Sequence, residues 1–584
     1  MYFRTATRKK GNKVYQSLHL VESYRTKDGK VRQRIVINFG PAHRYSKGEV
    51  RNIIGALTKF FNLDEPDTEV ILPEASLDFG STYVIFRIWE ELHWTEVFGR
   101  HLKDRRYDFD IIANLKVLVT NRLLDPKAKL HILDWMEGIH FPGIDRAQID
   151  YNHLLRAMDF LIEHKEELEP ELASPILSLF DTSLDLVFYD LTSCYFEIDE
   201  EDRDRKAPSN RAVSTLRNYG YDRDRSGCPQ VVLGLVMTKD GIPLCHHVFP
   251  GETPDKSTLK EVVLDLKARF PIKRCIVVGD RGLLSEENLE VLSEAELDYI
   301  VSLPLRGNQW AKRVIKALAD QLKEKRKVWK QNKTPLAEQQ CFLEVVIDAR
   351  RFVLSHSEEI ARQTKNTRKG ALSQATSYVT WRVARTLGQH NGTIPVKGKA
   401  LSHQETLLNM HDYLKERKLK RYYRLWLDEE GTIQWEPKEK SRKWENEIDG
   451  KLILETTNQT LRPEQVVYQY KELQDIERCF RTLKSSLDVR PIYHWVDRRI
   501  QAHIFMCVLA LQIQRLMRQR LRKARIKRSP ERVLEKLSFQ RTVEATSEGR
   551  RIQGLVPPTG EQLSFFNALN IPKPQHKHLA NPAL

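Results

Sequence analysis

The spacing of apolar positions changes several times along this 584-residue chain, and each change predicts a different kind of element. Residues 14–24 and 31–39 have strand composition, and Lys27-Asp28-Gly29-Lys30 between them supplies turn residues, so the first forty residues read as a β-hairpin. Residues 49–61, 81–102, 109–124, 127–136 and 151–162 carry apolar residues at helical spacing and predict an all-helical stretch. Its repeated aromatics, Tyr83, Phe86, Trp89, Trp94 and Phe98, read as core. From residue 184 the pattern switches. LDLVFYDLTSCYFEI is dense in β-branched and aromatic residues and predicts a buried strand. Strands over 230–238 and 243–249 follow, joined by Lys239-Asp240-Gly241-Ile242. Next come a helix opened by Thr253-Pro254, a strand over 274–278, a helix from Ser285 and a strand over 299–303. Three strands in meander, then helix, strand, helix, strand, predict an α/β core whose first and fourth strands are neighbours.

After residue 305 the chain leaves this core. Residues 312–333 form a helix-like stretch with nine Lys/Arg against two acids. Strands are expected at 342–347 and 351–354, and a hairpin over 421–427 and 432–436 around Asp428-Glu-Glu-Gly431. We read 310–455 as a partly β insertion. Residues 467–487 then predict one helix, with Leu473, Ile476, Phe480, Leu483 and Leu487 as its apolar stripe. Tyr470, Glu477 and Lys484 recur every seven residues, almost two turns, and share a face beside that stripe. Residues 498–516 predict an apolar helix. The longest apolar run, 504–513, is about half a membrane span and predicts burial, with no membrane partner. The same helix runs into 515–528, which holds eight basic residues and no acid and reads as a phosphate contact or a solvated helix end. The expected division is a basic hairpin arm (1–45), a helical DNA-binding region (46–180), a core in two parts (181–309 and 456–516) around the insertion (310–455), and a basic C-terminal region (517–584).

Charge adds a partner class. The chain carries a formal +16, and residues 1–40 hold ten Lys/Arg against two acids, half of that excess, which favours a polyanion. The seven cysteines form no C-x-x-C pair and read as reduced core residues, so a zinc site and a disulfide framework are not expected. With no signal-peptide pattern at the start, a cytoplasmic location is expected.

The chemistry lies in three carboxylates. Asp190 sits inside a buried-strand pattern, where a carboxylate is costly unless it is paired or binds metal. Asp181 and Asp185 compete with it but fall at the strand's start. Asp280 falls at the C-terminal end of its strand, where α/β sheets place ligand-binding residues. Glu477 is on the helix expected to pack beside them. His246 and His247 are adjacent in a strand and point to opposite faces, which argues against joint metal ligation. Clustered carboxylates repel one another unless cations join them. Their hard oxygens suit two Mg²⁺ or Mn²⁺ ions and phosphodiester chemistry.

At these residues the chain resembles a known family. Tyr470-x2-Leu473-x3-Glu477-x6-Lys484 is similar to the Y-x2-R-x3-E-x6-K signature of bacterial insertion-sequence DDE transposases of the IS-four type. FYDLTS around Asp190 and GDRGLLS around Asp280 resemble that family's two aspartate motifs. PLCHHVFPGETPDKSTL and RPIYHWVDRRIQAHIFMCVLAL resemble its segments between the motifs and after the glutamate. The resemblance implies a ribonuclease-H-like core with an insertion, and cut-and-paste transposition with Asp190, Asp280 and Glu477 as catalytic metal ligands. It also implies double-stranded DNA as partner, both terminal inverted repeats and target, and a homodimer in synapsis. Tyr470 and Lys484 would contact DNA phosphates. The signature's Arg position is Leu473, so Arg478 or Arg481 would supply that contact. Trp435 and Trp444 are candidates to stack on a flipped base. Alternatives are a metal-dependent nuclease on the same fold, or an inactive transposase-derived DNA-binding protein.

Overall fold

The computed structural model describes the chain apart from residues 11–12, 27–29, 62–72, 104–106, 180–185, 199–214, 222–226, 271–275, 280–284, 397, 399, 548–549 and 582–584. It forms two compact units, Met1–Ala75 with Glu544–Gln553, and Ser76–Val543 with Gly554–Leu584.

In the first unit the expected hairpin is present as β2 (Lys13–Arg25) antiparallel to β3 (Val31–Pro41), with turn residues 27–29 outside the described set. It is not a two-stranded arm. A further strand, β1 (Tyr2–Lys10), pairs antiparallel with β2 from Tyr2 opposite Val21 to Lys10 opposite Lys13. Its last residues, Arg8-Lys9-Lys10, masked its strand character in the sequence. Helix α1 (Lys47–Phe60) follows, opened by a capping box between Ser46 and Glu49.

The second unit is entered through β4 (Pro73–Asp78) and starts with helices: α2 (Gly80–Glu91), α3 (Trp94–His101), α4 (Ile111–Leu124), α5 (Ile132–Met136), α6 (Tyr151–Glu163) and α7 (Lys165–Leu179). The single helix expected over 81–102 is broken at His93, which takes φ +53. The five aromatics read as core are fully buried. Helix α7 escaped the sequence reading because it holds Pro170 and Pro175.

The central sheet follows: β5 (Leu186–Tyr195), β6 (Gln230–Thr238), β7 (Pro243–Pro250), α8 (Asp255–Arg269), β8 (Ile276–Gly279), α9 (Glu286–Glu294) and β9 (Asp298–Ser302). Thr253 does not cap α8; the cap position falls one residue later, on Pro254. Strands β5, β8 and β9 are parallel neighbours, while β6 and β7 meander antiparallel on the other side of β5. The first and fourth strands are therefore adjacent, as the element order predicted. Next come α10 (Gln309–Ala317), α11 (Ala319–Gln331), β10 (Gln340–Ile347) and β11 (Arg350–Ser357). They are followed by α12 (Glu358–His390), α13 (His403–Glu416), β12 (Tyr423–Leu427), β13 (Ile433–Pro437), α14 (Glu439–Ile448) and β14 (Lys451–Thr456).

Strands β10, β11 and β14 join the central sheet, giving the order β10-β11-β14-β9-β8-β5-β6-β7. Strands β10 and β11, expected in a separate insertion, thus widen the core, together with β14, for which the sequence predicts no strand. Helices α12 to α14 and the hairpin β12–β13 lie between β11 and β14. Glu455 on β14 fastens this extension: it is fully buried and receives Arg350 Nε at 2.7 Å, Arg350 Nη2 at 2.8 Å and the Tyr299 hydroxyl at 3.0 Å.

The chain continues through α15 (Pro463–Lys471), α16 (Leu473–Ser485), α17 (Asp497–Lys523), α18 (Pro530–Leu537), β15 (Arg541–Ser547), β16 (Arg550–Leu555) and α19 (Gly560–Ala568). By length and composition α17 could cross a membrane, yet 94% of its most apolar window is buried inside the protein. It is the core helix that the short apolar run predicted.

Candidate active site

Strand alternation decides where Asp190 points. On β5, Leu186 and Phe188 pack into the cluster that includes Ile476, Phe480 and the apolar face of α17. Val187, Tyr189 and Leu191 pack into the opposite cluster, with Leu259 and Val263 of α8. With a two-residue period, half-buried Asp190 lies on the α16–α17 face. Its Oδ1 accepts the Leu191 backbone N–H at 2.8 Å.

The stretch expected as one helix is two. Glu472 separates α15 from α16, and the backbone tightens there to three-residue hydrogen bonds, Glu472 N–H to Gln469 O at 3.1 Å and Asp475 N–H to Glu472 O at 2.9 Å. Tyr470 is therefore on the first helix, and Glu477 and Lys484 are on the second. The stripe holds: Ile476, Phe480, Leu483 and Leu487 are buried and Leu473 is partly buried. That burial leaves Glu477 exposed on the adjoining face.

The two carboxylates line one cavity of about 410 Å³. Its wall includes Asp190 from β5, Lys451 from β14, Tyr470 and Lys471 from α15, and Leu473 and Glu477 from α16. Strand β8 runs parallel beside β5, with Val278 opposite Phe188, and is described to Gly279. Asp280, the next residue, lies outside the described residues, as do Asp181 and Asp185. Lys451, missed in the sequence, has its ammonium pKa lowered, first by burial and then by Arg326. The arrangement offers hard oxygens from a strand and a helix, with lysines on the same wall, which suits a divalent ion and a phosphate together.

The remaining residues divide. Arg478 pairs with Asp475 at 2.6 Å, Arg481 is exposed, and Lys484 is half-buried; none of the three lines the cavity. Trp444 is partly buried and donates its indole N–H to Leu305 O at 3.2 Å. Trp435 packs partly buried beside Tyr423. Both tryptophans are used in cores, which leaves them poorly placed to stack on a base.

A second group gathers metal-type donors: Cys245, His247 and Asp265 bring ligand atoms within 4.8 Å of one another. Arg269 Nε already donates to Asp265 at 2.7 Å and His247 Nε2 lies 3.1 Å from that carboxylate, so its negative charge is met by the Arg269 guanidinium. His246 faces the other way, toward Glu169 and Phe505, so the adjacent histidines do not share a ligand site.

Two family models match the chain. The IS1634 family transposase N-terminal domain matches residues 3–67, and the transposase DDE domain matches residues 203–513, more than half of the chain. The second span contains Glu477 and begins after Asp190. No curated protein matches. Among solved structures, the chain is similar to a piggyBac transposase synaptic complex with hairpin DNA, at 10% identity over 78% of each chain and a TM-score of 0.33. It is also similar to the Mos1 mariner paired-end complex with Mn, at 10% identity over 44% of this chain and 73% of that one, with a TM-score of 0.14. On the two family matches, this chain belongs to the DDE transposases of insertion sequences.

Proposed function

We propose that this transposase cuts the ends of its element out of double-stranded DNA and joins them to target DNA, using Asp190, Asp280 and Glu477 as its catalytic carboxylates. The observation that carries this reading is the shared cavity of Asp190 and Glu477, which are remote in sequence and brought together by the fold. The strand order β7-β6-β5-β8-β9, with β6 antiparallel, supports a ribonuclease-H-like core. Asp280 is the next residue in sequence after β8, the strand that pairs with β5, and we take it as the third carboxylate.

The donor set fits Mg²⁺ or Mn²⁺: carboxylates on a half-open wall, without thiol or imidazole among the lining residues. Two such ions, when bound, would supply an activated water or 3′-hydroxyl and stabilise the leaving oxygen. The chain's own residues do the rest. Asp190 on the strand and Glu477 on the helix would hold those ions and, through them, the reacting phosphodiester. Lys451 and Lys471 offset phosphate charge at the same wall, and the Tyr470 hydroxyl donates to a phosphate oxygen. Lys484, Arg478 and Arg481 hold the duplex along the outer side of α16. Cutting two ends in one complex requires two active sites, hence a homodimer across the terminal inverted repeats.

The test is cleavage of labelled DNA bearing the element's terminal repeat, with Mg²⁺ or with EDTA, by the wild type and by Asp190→Asn, Asp280→Asn and Glu477→Gln. Metal-dependent cutting at the repeat end, lost in all three variants, is expected. Cutting retained in any one of them removes that residue from the site.

A further inference from the structure

We infer that the C-terminal end of α17 and the turn into α18 form a second surface for the phosphates of duplex DNA, apart from the cavity of Asp190 and Glu477. This inference rests on the reading of the chain as an enzyme that handles DNA ends.

The structure sorts seven of the eight basic residues of 515–528. Arg515 is used internally, donating from Nη2 to Asp240 O at 2.7 Å and packing on Gly241. Gly241 has φ +70, which favours glycine, and a Cβ there would lie 2.5 Å from that guanidinium and push it aside. Arg520 is also used internally, on Glu91 and on Leu569 O. Arg518, Arg522, Arg525, Lys527 and Arg528 instead surround one concavity of about 620 Å³, together with Ser529. Arg528 reaches Glu561 at 2.7 Å. Among the described residues, the other four form no ion pair.

The turn builds this concavity. Arg525 takes φ +59, the Ile526 N–H returns to Leu521 O at 2.9 Å, and the Arg525 N–H returns to Arg522 O at 3.0 Å. That reversal brings Lys527 and Arg528 round to the side of Arg518 and Arg522. The negative end of the α17 dipole accounts for cations in its last turn. It does not account for Lys527 and Arg528, which precede Ser529, the N-cap of α18, where the dipole is positive and further cations are unfavourable. A polyanion satisfies both ends at once: it meets the arginines of α17 and the positive start of α18.

The position suits a duplex held at the active site. Glu531, in the first turn of α18, accepts from Ser486 at the end of α16 at 3.2 Å and from Gln514 of α17 at 2.5 Å. Ser486 lies about 14 Å along the helix from Glu477, so a duplex that follows α16 away from Glu477 runs toward the start of α18.

The experiment measures binding of the full chain to a labelled random-sequence duplex across a range of salt concentrations, for the wild type and for Arg518→Ala/Arg522→Ala/Arg525→Ala. Each lost phosphate contact lowers the slope of log K against log salt by about 0.9, so the triple variant is expected to lose about 2–3 in slope and at least about ten-fold in affinity. The control, Lys323→Ala/Lys327→Ala on α11, removes exposed lysines that pair with Asp320 and Glu324, and should change neither. Unfolding midpoints report whether the triple variant folds, and Arg522→Gln/Arg525→Gln repeats the test with milder changes at two exposed positions. An unchanged slope and affinity, or a loss seen with single-stranded DNA but not with duplex, overturns the inference. Failure of the wild type to cut with Mg²⁺ while the triple variant loses binding would refute the catalytic reading and leave this surface standing.

Discussion

Two groups of carboxylates in the second unit contrast an acid whose charge the protein itself meets with one that we propose works in catalysis. Glu169 on α7 is 3% exposed. It accepts the His246 backbone N–H at 2.9 Å and lies 2.6 Å from His246 Nδ1. Arg269 at 2.5 Å and Lys165 at 3.3 Å complete its shell. Burial alone would push its carboxyl up, but Lys165, His246 and Arg269 outweigh that and hold it well below the usual carboxylate range. Glu477 is the opposite case, exposed, without an ion pair among the described residues, and aimed at a cavity that Asp190 also lines. The first acid has its charge met by protein, so its removal should cost stability. The second has its charge available to a ligand, so its removal should cost chemistry.

The sharpest way to break this comparison is to exchange each acid and read both properties. Glu477→Gln should lower DNA strand cleavage by about 10³-fold or more, on the order of 4 kcal/mol of transition-state stabilisation. Its unfolding free energy should stay within about 0.5 kcal/mol of wild type, as for other exposed positions. Glu169→Ala should do the reverse and cost about 3–5 kcal/mol of stability, because Arg269 and Lys165 lose their buried partner. Any cleavage deficit in Glu169→Ala should follow its folded fraction, measured by denaturant titration beside activity. A stable, inactive Glu169→Ala would place that residue in the chemistry and end the distinction.

The sequence revealed these two regions unequally. That Asp190 and Glu477 would meet was legible because the signals are local: an acid beside an apolar helical stripe, and an acid inside a buried strand. The break at Glu472 was not, because nothing in the composition of 467–487 opposes one continuous helix. The Glu169 network was invisible. Its helix carries two prolines, and its partners come from α7, β7 and α8, which only the fold brings together. Strands β10 and β11 were seen as strands but assigned to the insertion, because pairing partners cannot be read from alternation. Helix α12, 33 residues long, was missed because its polar and apolar residues are spread around all faces.

Acid offers a weaker probe of the same contrast. Burial pushes the His246 imidazole down to about 4, against the pull of Glu169, and Lys165 and His247 act in the same direction as burial. Between pH 6.5 and about 4 the unfolded chain therefore binds a proton that the folded chain excludes, and stability falls as pH falls. His246 alone accounts for on the order of 3 kcal/mol over that window. Asp265 adds a lower step. His247 and Arg269 outweigh its burial and hold it at about 2, so its contribution is present above about pH 4 and lost as pH falls through 2. Denaturant unfolding from pH 7 to pH 4 should show the first decline, and Glu477→Gln should reproduce it unchanged. A flat profile would mean that His246 is not held neutral.

The smallest expected effect concerns Leu473, where the signature of the resembled family has arginine. Leu473 is partly buried in the stripe and also lines the cavity, so its side chain spans the boundary between core and site. An arginine there can lay its methylenes along the stripe and carry the guanidinium to the cavity, where a phosphate would receive it. The substitution gives up part of a leucine's burial, about 1 kcal/mol of stability, and adds one charge-assisted contact to DNA. Leu473→Arg is therefore expected to tighten binding of a terminal-repeat duplex by about two- to ten-fold, to steepen its salt dependence by about one phosphate, and to leave the metal requirement unchanged. Tighter binding abolished by adding Glu477→Gln would mean the new charge only neutralises that glutamate. Tighter binding that survives the double substitution means the cavity wall itself faces the DNA backbone, as the contrast between the two acids requires.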